Sequence, residues 1–301
     1  MNTSFATGGR GREGGAKTRR IIARTLLLAA TVLLAACTAT RLAYNQAPQL
    51  GYWWLDGHFD FDEVQSEQVR GDIQRFFAWH RREELPALAS LLQRWQALAP
   101  GELTADVVCQ QAEAVRTRLQ ATGEWLIEPF ARLAPRLGPP QFEQLQRRQA
   151  RSNREFESDF LRGTPEQRLQ RRFDKALAHS ERLYGRLHEA QRERLRAWLV
   201  DSPWQAQRSH AERQRRQSDL VQTLRQAQAE PPRAQAALRG HLARLLHAPT
   251  PGDQAHSEAL WRHACVQFAA LHNSTTPEQR EHAVRTLQSH RLDLLSLSAA
   301  P

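Results

Sequence analysis

From about residue 60 to the C-terminus, apolar side chains return at helical spacing. No stretch there combines strict alternation with the β-branched content of a strand. Val108, Ala112, Val115 and Leu119 fall on one face, as do Leu169, Phe173, Leu177, Tyr184 and Leu187, with Ser180 as one small polar break. Phe142, Leu145, Phe156 and Phe160 form such a stripe on the element before, and Leu260, Ala264, Phe268 and Leu271 form one near the end. Stripes of this kind predict helices with a core-facing side rather than cofactor sites.

The starts are marked by local chemistry. Asp60 or Asp62 can cap a helix through Glu63, Val69, Ile73, Phe76 and Phe77, and Thr104 can open the next long one. Thr164-Pro165-Glu166-Gln167 places a cap, then a proline where the N–H is unpaired anyway, then an acid beside the positive helix end. Thr276-Pro277-Glu278-Gln279 repeats the signal; the residues after each copy do not align, so shared capping explains it better than duplication. Pro139-Pro140, Pro203, Pro231-Pro232 and Pro251 mark further breaks. The expected fold is an all-α multi-helix bundle of about eight to ten helices over residues 61–301.

Residues 205–219 break the pattern, with alanine as the only apolar type. A helix there must stand in solvent or lie against a polar partner. Its cluster Arg208, Arg213, Arg215 and Arg216 is either a solvated face or an anion-binding arm for lipid phosphate, peptidoglycan carboxylates or an acidic protein.

The first 36 residues are of another kind. Arg10, Arg12, Lys17, Arg19, Arg20 and Arg24 face one acid, Glu13, and the uncharged run 25–36 follows. That run fits a signal h-region and is shorter than the roughly 20 residues of a spanning helix. It ends in Leu34-Ala35-Ala36-Cys37, which resembles the lipobox of bacterial lipoproteins. The resemblance implies cleavage between Ala36 and Cys37, lipid on the Cys37 thiol, and acyl chains such as palmitate as the anchor. The expected organisation is a signal peptide over 1–36, an attachment and juxtamembrane segment over 37–60, and the helical domain beyond. Thr18-Arg19-Arg20 loosely resembles a twin-arginine signal, but the strongly apolar run favours Sec export. Thr38, where an Asp would suggest inner-membrane retention, points to the periplasmic face of the outer membrane.

Removing the leader changes the charge. The whole chain carries 42 basic and 32 acidic residues, +10; without residues 1–36 the balance is 36 against 31, or +5. Such a mild excess does not call for nucleic acid. Two further cysteines remain, Cys109 and Cys265. An oxidising compartment invites a disulfide, but pairing needs Cα atoms within about 7 Å. Two separate small apolar residues on helix faces are the expectation, with a bridge as the alternative.

No catalytic, cofactor or metal site is legible. There is no nucleophile elbow, phosphate loop or dinucleotide fingerprint. His58, Asp60 and Asp62 cluster, but capping accounts for both aspartates. His256, His263, Cys265 and His272 lack zinc-type spacing, and most histidines are expected at the surface. Glu157-Ser158 is similar to the catalytic pair of helical murein transglycosylases, yet their following glycine- and methionine-containing motif is missing; Glu157 is read as solvated.

Further resemblance lies after Cys37. Arg41-Leu42-Ala43-Tyr44-Asn45, Trp53-Trp54-Leu55-Asp56, Phe59-Asp60 and Trp79-His80-Arg81-Arg82-Glu83-Glu84-Leu85-Pro86, with Asn153-Arg154-Glu155-Phe156 further on, resemble a family of proteobacterial lipoproteins classed as a domain of unknown function. The likeness is most specific over residues 37–86. It implies lipidation and an all-helical body, and supplies no catalytic residues. Trp53 and Trp54 point about 100° apart on a helix. Both are expected to be partly buried; the alternative sets one at the bilayer surface.

The expected function is a non-enzymatic, lipid-anchored envelope protein that binds a protein, peptidoglycan or anionic lipid, without a cofactor. Two other classes remain: a chaperone-like or stress-related binder, since TPEQR is similar to the helix-start motif of the much smaller Spy-type chaperones, and a cell-wall hydrolase with an unrecognised site.

Overall fold

The computed structural model describes residues 41–299. The expected leader, the expected cleavage between Ala36 and Cys37 and the expected lipid attachment at Cys37 lie outside the described residues. The chain divides into two compact units, 1–46 and 47–301. In the first, residues 41–46 are helical.

The second unit starts with a helix over residues 47–59, α1. It continues through α2 (Glu63–Trp79), α3 (Leu85–Leu98), α4 (Ala105–Leu133), α5 (Pro139–Phe160) and α6 (Pro165–Tyr184). Then follow α7 (Glu189–Val200), α8 (Ala206–Ala229), α9 (Ala234–Leu246), α10 (Pro251–Asn273) and α11 (Pro277–Ser298). No strand occurs among the described residues, and the body is an all-α multi-helix bundle. Tyr52 and Phe59 of α1 are buried in its main core.

Capping sets most helix starts. Asp62, Thr104, Thr164, Thr250 and Thr276 each accept a backbone N–H from the first turn of the helix they open. Asp60 does not cap. It sits at φ 55°, a left-handed conformation that Asp tolerates, and turns the chain between α1 and α2. Gly185, at φ 73°, ends α6 where a side chain would be strained. Between α2 and α3 the helix runs on through a π turn, His80–Glu84. Pro86 explains it: without an N–H it cannot bond back four residues, and the Leu85 N–H reaches the His80 carbonyl five residues away instead. The turn buries Glu84, whose carboxylate lies 3.6 Å from Arg118.

A glutamine at the third helical position does double duty. At α2, α5, α6, α7 and α11 the side-chain oxygen of Gln65, Gln141, Gln167, Gln191 or Gln279 accepts the N–H of the residue preceding the helix, at 2.9–3.1 Å. Four of these amides also reach across the bundle. Gln65 donates to the Arg136 carbonyl at 2.6 Å, and Gln141 donates back to that of Asp60 at 3.2 Å. Gln191 and Gln279 reciprocate with the carbonyls of Ser274 and Arg186, each at 2.8 Å. The starts of α2 and α5, and those of α7 and α11, are therefore locked by the same joint. Arg136-Leu137, Gln141 and Leu145 recur as Arg186-Leu187, Gln191 and Leu195, and all four leucines are buried.

The core lies in three apolar clusters. The largest joins α1, α2, α4, α5, α8 and α9 around Ile73, Leu133, Phe142 and Leu224. A second, around Phe173, Tyr184, Leu195 and Leu271, joins α6, α7, α10 and α11. The third packs Val108 against Ala269 between α4 and α10. There Cys109 and Cys265 form a disulfide, with Cα atoms 5.4 Å apart, rather than two separate apolar thiols. The side-by-side packing of α4 and α10 makes the approach possible.

Two other expectations change, and two of the histidines prove to be buried. Trp53 and Trp54 are 60% and 61% exposed, and Tyr52 takes the core position. On α10, Ala264 is exposed and the buried face runs through Cys265, Ala269 and His272. Not all histidines are superficial. His272 bonds the Tyr184 hydroxyl at 3.0 Å and the Gly101 carbonyl at 2.8 Å, and burial holds its pKa below the ordinary value. His241 is also buried, 2.7 Å from Asp219.

Candidate binding sites: a polar basin and an apolar cleft

Among the openings in the bundle, two are lined by side chains of contrasting chemistry. The first runs along the N-terminal half of α8. The segment read from sequence as lacking a core face lies against α5, which is the polar partner. Asn153 and Gln217 exchange two amide hydrogen bonds, at 2.8 and 3.0 Å. His210 stacks on Phe156 at 5.6 Å and lies 3.4 Å from Glu157, which is half-buried rather than solvated.

This packing sorts the arginine cluster. Arg208, Arg213 and Arg216 line a basin of about 590 Å³ with Trp204, Glu212, Asp253 and His256. Arg215 is not in its wall; it forks onto Glu212 at 2.6 and 2.8 Å. Arg216 shares the same carboxylate at 2.6 Å, and Arg208 pairs with Asp253 at 2.7 Å. Hydrogen bonding from Arg215, opposed by partial burial and aided by Arg216, keeps the Glu212 carboxyl below its usual range. Arg213 is different. Its guanidinium donates to Ser152 Oγ at 2.5 Å and to Asn153 Oδ1 at 3.0 Å, both neutral. It carries the positive excess of a wall with three arginines and two acids.

The second opening was not legible in the sequence. It is a cleft of about 320 Å³ between α1, α2 and α4, and its lining is almost wholly apolar. Gly51 and Trp54 come from α1, Phe76 and Phe77 from α2, and Trp125 and Pro129 from α4. The rings brace each other: Phe76 meets Trp125 edge-on at 5.2 Å, and Trp125 stacks on Trp79 at 5.7 Å. Gly51 faces Phe77 across the cleft, and a Cβ there would stand 4.0 Å from that ring. Asp72 is the charged residue in the lining, and it is tied to Arg75 and Arg132 at 2.5 Å each. The nearest sequence signals were the Trp53-Trp54 pair and the aromatic run at Phe76-Phe77, but the cleft needs α4 beside them.

Among the described residues, no three His, Cys, Asp or Glu side chains are placed to hold a metal ion. His58, Asp60 and Asp62 are set to other uses: the His58 ring bonds the Trp54 carbonyl and Asp62 caps α2. Among the described residues no helix is long and apolar enough to cross a membrane.

No curated protein and no solved structure matches the chain. Residues 57–250 match a family of unknown function, DUF6279, from the end of α1 to the loop before α10. That span takes in α8 and two of the three cleft helices, and at well over half the chain it makes the protein a member of this family.

Proposed function

We propose that the protein is a non-enzymatic envelope lipoprotein, anchored through Cys37 at the periplasmic face of the outer membrane, whose body holds a carboxylate-bearing partner in the basin along α8. Arg213 carries this reading. It is a fixed guanidinium with neutral partners at a wall where the other two arginines already face acids. An arriving carboxylate can accept a forked pair of charge-assisted hydrogen bonds there. Support for the compartment comes from the leader and lipobox, and from the Cys109–Cys265 bridge, which suits an oxidising environment.

Peptidoglycan supplies dense carboxylates in that compartment and is the first partner to test. The lipidated protein should be retained on isolated cell wall, less so in higher salt. Retention should fall several-fold in Arg213→Ala and further with Arg208→Ala. Retention indifferent to both changes would defeat the basin reading, and release of soluble wall fragments would make the protein a hydrolase. The anchor is tested separately: globomycin should accumulate precursor, and Cys37→Ser should abolish lipid labelling.

A further inference from the structure

We propose that the cleft between α1, α2 and α4 takes one acyl chain of a phospholipid from the bilayer to which the protein is tethered. The cleft is built for an apolar guest. Its volume of about 320 Å³ stands at the lower end for ligand pockets, roughly 300–1,000 Å³. Aromatic rings braced on one another form part of its walls. Gly51 lines the α1 side, where a Cβ would stand 4.0 Å from the Phe77 ring. Asp72 is tied to two arginines at the lining, so no free charge faces a guest.

A bilayer lipid is favoured by what surrounds the cleft. Trp54 lines it and is still 61% exposed; Trp53 and Leu50, on the same stretch of α1, are 60% and 52% exposed. Tryptophans with wet N–H groups and apolar rings suit the headgroup boundary. The tether adds reach. Gly51 lies 14 residues after Cys37, at most about 50 Å of chain even if fully extended. The inference rests on the anchor reading in that one respect, that a membrane is within reach. A chain entering beside Trp54 would bury methylenes, each tightening binding about fourfold.

The test uses the lipidated full-length protein in vesicles of phosphatidylethanolamine carrying a diazirine at the acyl terminus. Irradiation and peptide mapping should place adducts on Trp54, Phe76, Phe77 and Trp125. Gly51→Leu fills the cleft from within a helix that favours Leu over Gly, so the fold is retained and a melting curve checks it. The variant should lose at least tenfold of the adduct at Phe76 and Trp125. Adducts confined to Leu50 and Trp53, or unchanged by Gly51→Leu, would mean surface contact without entry and overturn the proposal. A parallel sample carries the diazirine only in the chains on Cys37; cleft adducts from that label alone would make the occupant the protein's own anchor and also overturn it. The vesicles supply the lipid directly. Failure of the anchor would therefore show as protein washing off the membrane, distinct from an empty cleft.

Discussion

The basin and the cleft open from one helical body, and their walls are held in opposite ways. In the basin each charged group but Arg213 already has a charged partner: Arg208 with Asp253, and Arg216 with Glu212. A ligand there must trade existing hydrogen bonds for new ones, and salt weakens the exchange. In the cleft the wall is hydrocarbon and aromatic, and what holds it is ring against ring. A guest there gains by leaving water, with little dependence on salt and a negative heat-capacity change. The polar opening is thus suited to recognition and the apolar one to partitioning.

Beneath both lies a common core. Helix α8 carries the basin on its first half, while Val221, Leu224 and Ala227 of its second half join Val69, Ile73 and Leu133, which line the cleft. Leu224→Ala should therefore cause the largest damage, about 3 kcal/mol, read from the urea midpoint. A loss below about 1 kcal/mol would show that the two openings do not share a floor. The next effect separates them. Asp72 is buried and takes two arginine bonds at 2.5 Å, but the arginines themselves are largely exposed. Asp72→Asn should cost about 1.5 kcal/mol, short of a fully buried pair, with retention on cell wall unaffected.

What the sequence made legible follows from which forces are local. Thr104, Thr164 and Thr276 cap the helices expected of them, because a cap involves only the next three residues. The all-α class followed from spacing for the same reason. Facts that join distant residues stayed hidden. The Cys109–Cys265 bridge spans 156 residues, and the pairing of α4 with α10 decides it. That bridge, with the bond between Tyr184 and His272, turns α10 so that Cys265 and His272 face inward and Ala264 outward. Helix α8 was half legible: its polar segment was evident, but not that Asn153 and Ser152 of α5 would receive it. The cleft was not legible at all, since its third wall comes from Trp125 and Pro129, far along the chain.

Acid should act on the basin side first. Glu212 has a depressed carboxyl through Arg215, opposed by burial and aided by Arg216. Asp253 across the basin is again depressed, by hydrogen bonds from Thr250 and Arg208 that outweigh desolvation. A group depressed on folding stabilises above its unfolded pKa, and the gain is lost as pH falls through the folded value. For these two the window opens below about pH 4.5. Amide exchange should quicken there in the first half of α8, ahead of Leu224 and Ala227. Equal quickening along the whole helix would erase the distinction between the halves.

The smallest effect sits where α8 begins. Gln205 precedes the helix with extended backbone, φ −122° and ψ 122°, and makes no side-chain cap bond. One methylene longer than the preferred caps, it leaves first-turn N–H groups without the partner that Asp62 or Thr276 gives elsewhere. Gln205→Asp fits the same backbone and adds negative charge at the positive helix end. It should stabilise by about 0.5 kcal/mol, raising the thermal midpoint by about 1–2 °C. The same carboxylate lies three residues from Arg208 and offsets the charge excess carried by Arg213. A tighter fold should thus come with weaker retention on cell wall, while lipid adducts in the cleft stay constant. If retention rises with stability, the basin responds to rigidity rather than to charge, and Arg213 loses its assigned role.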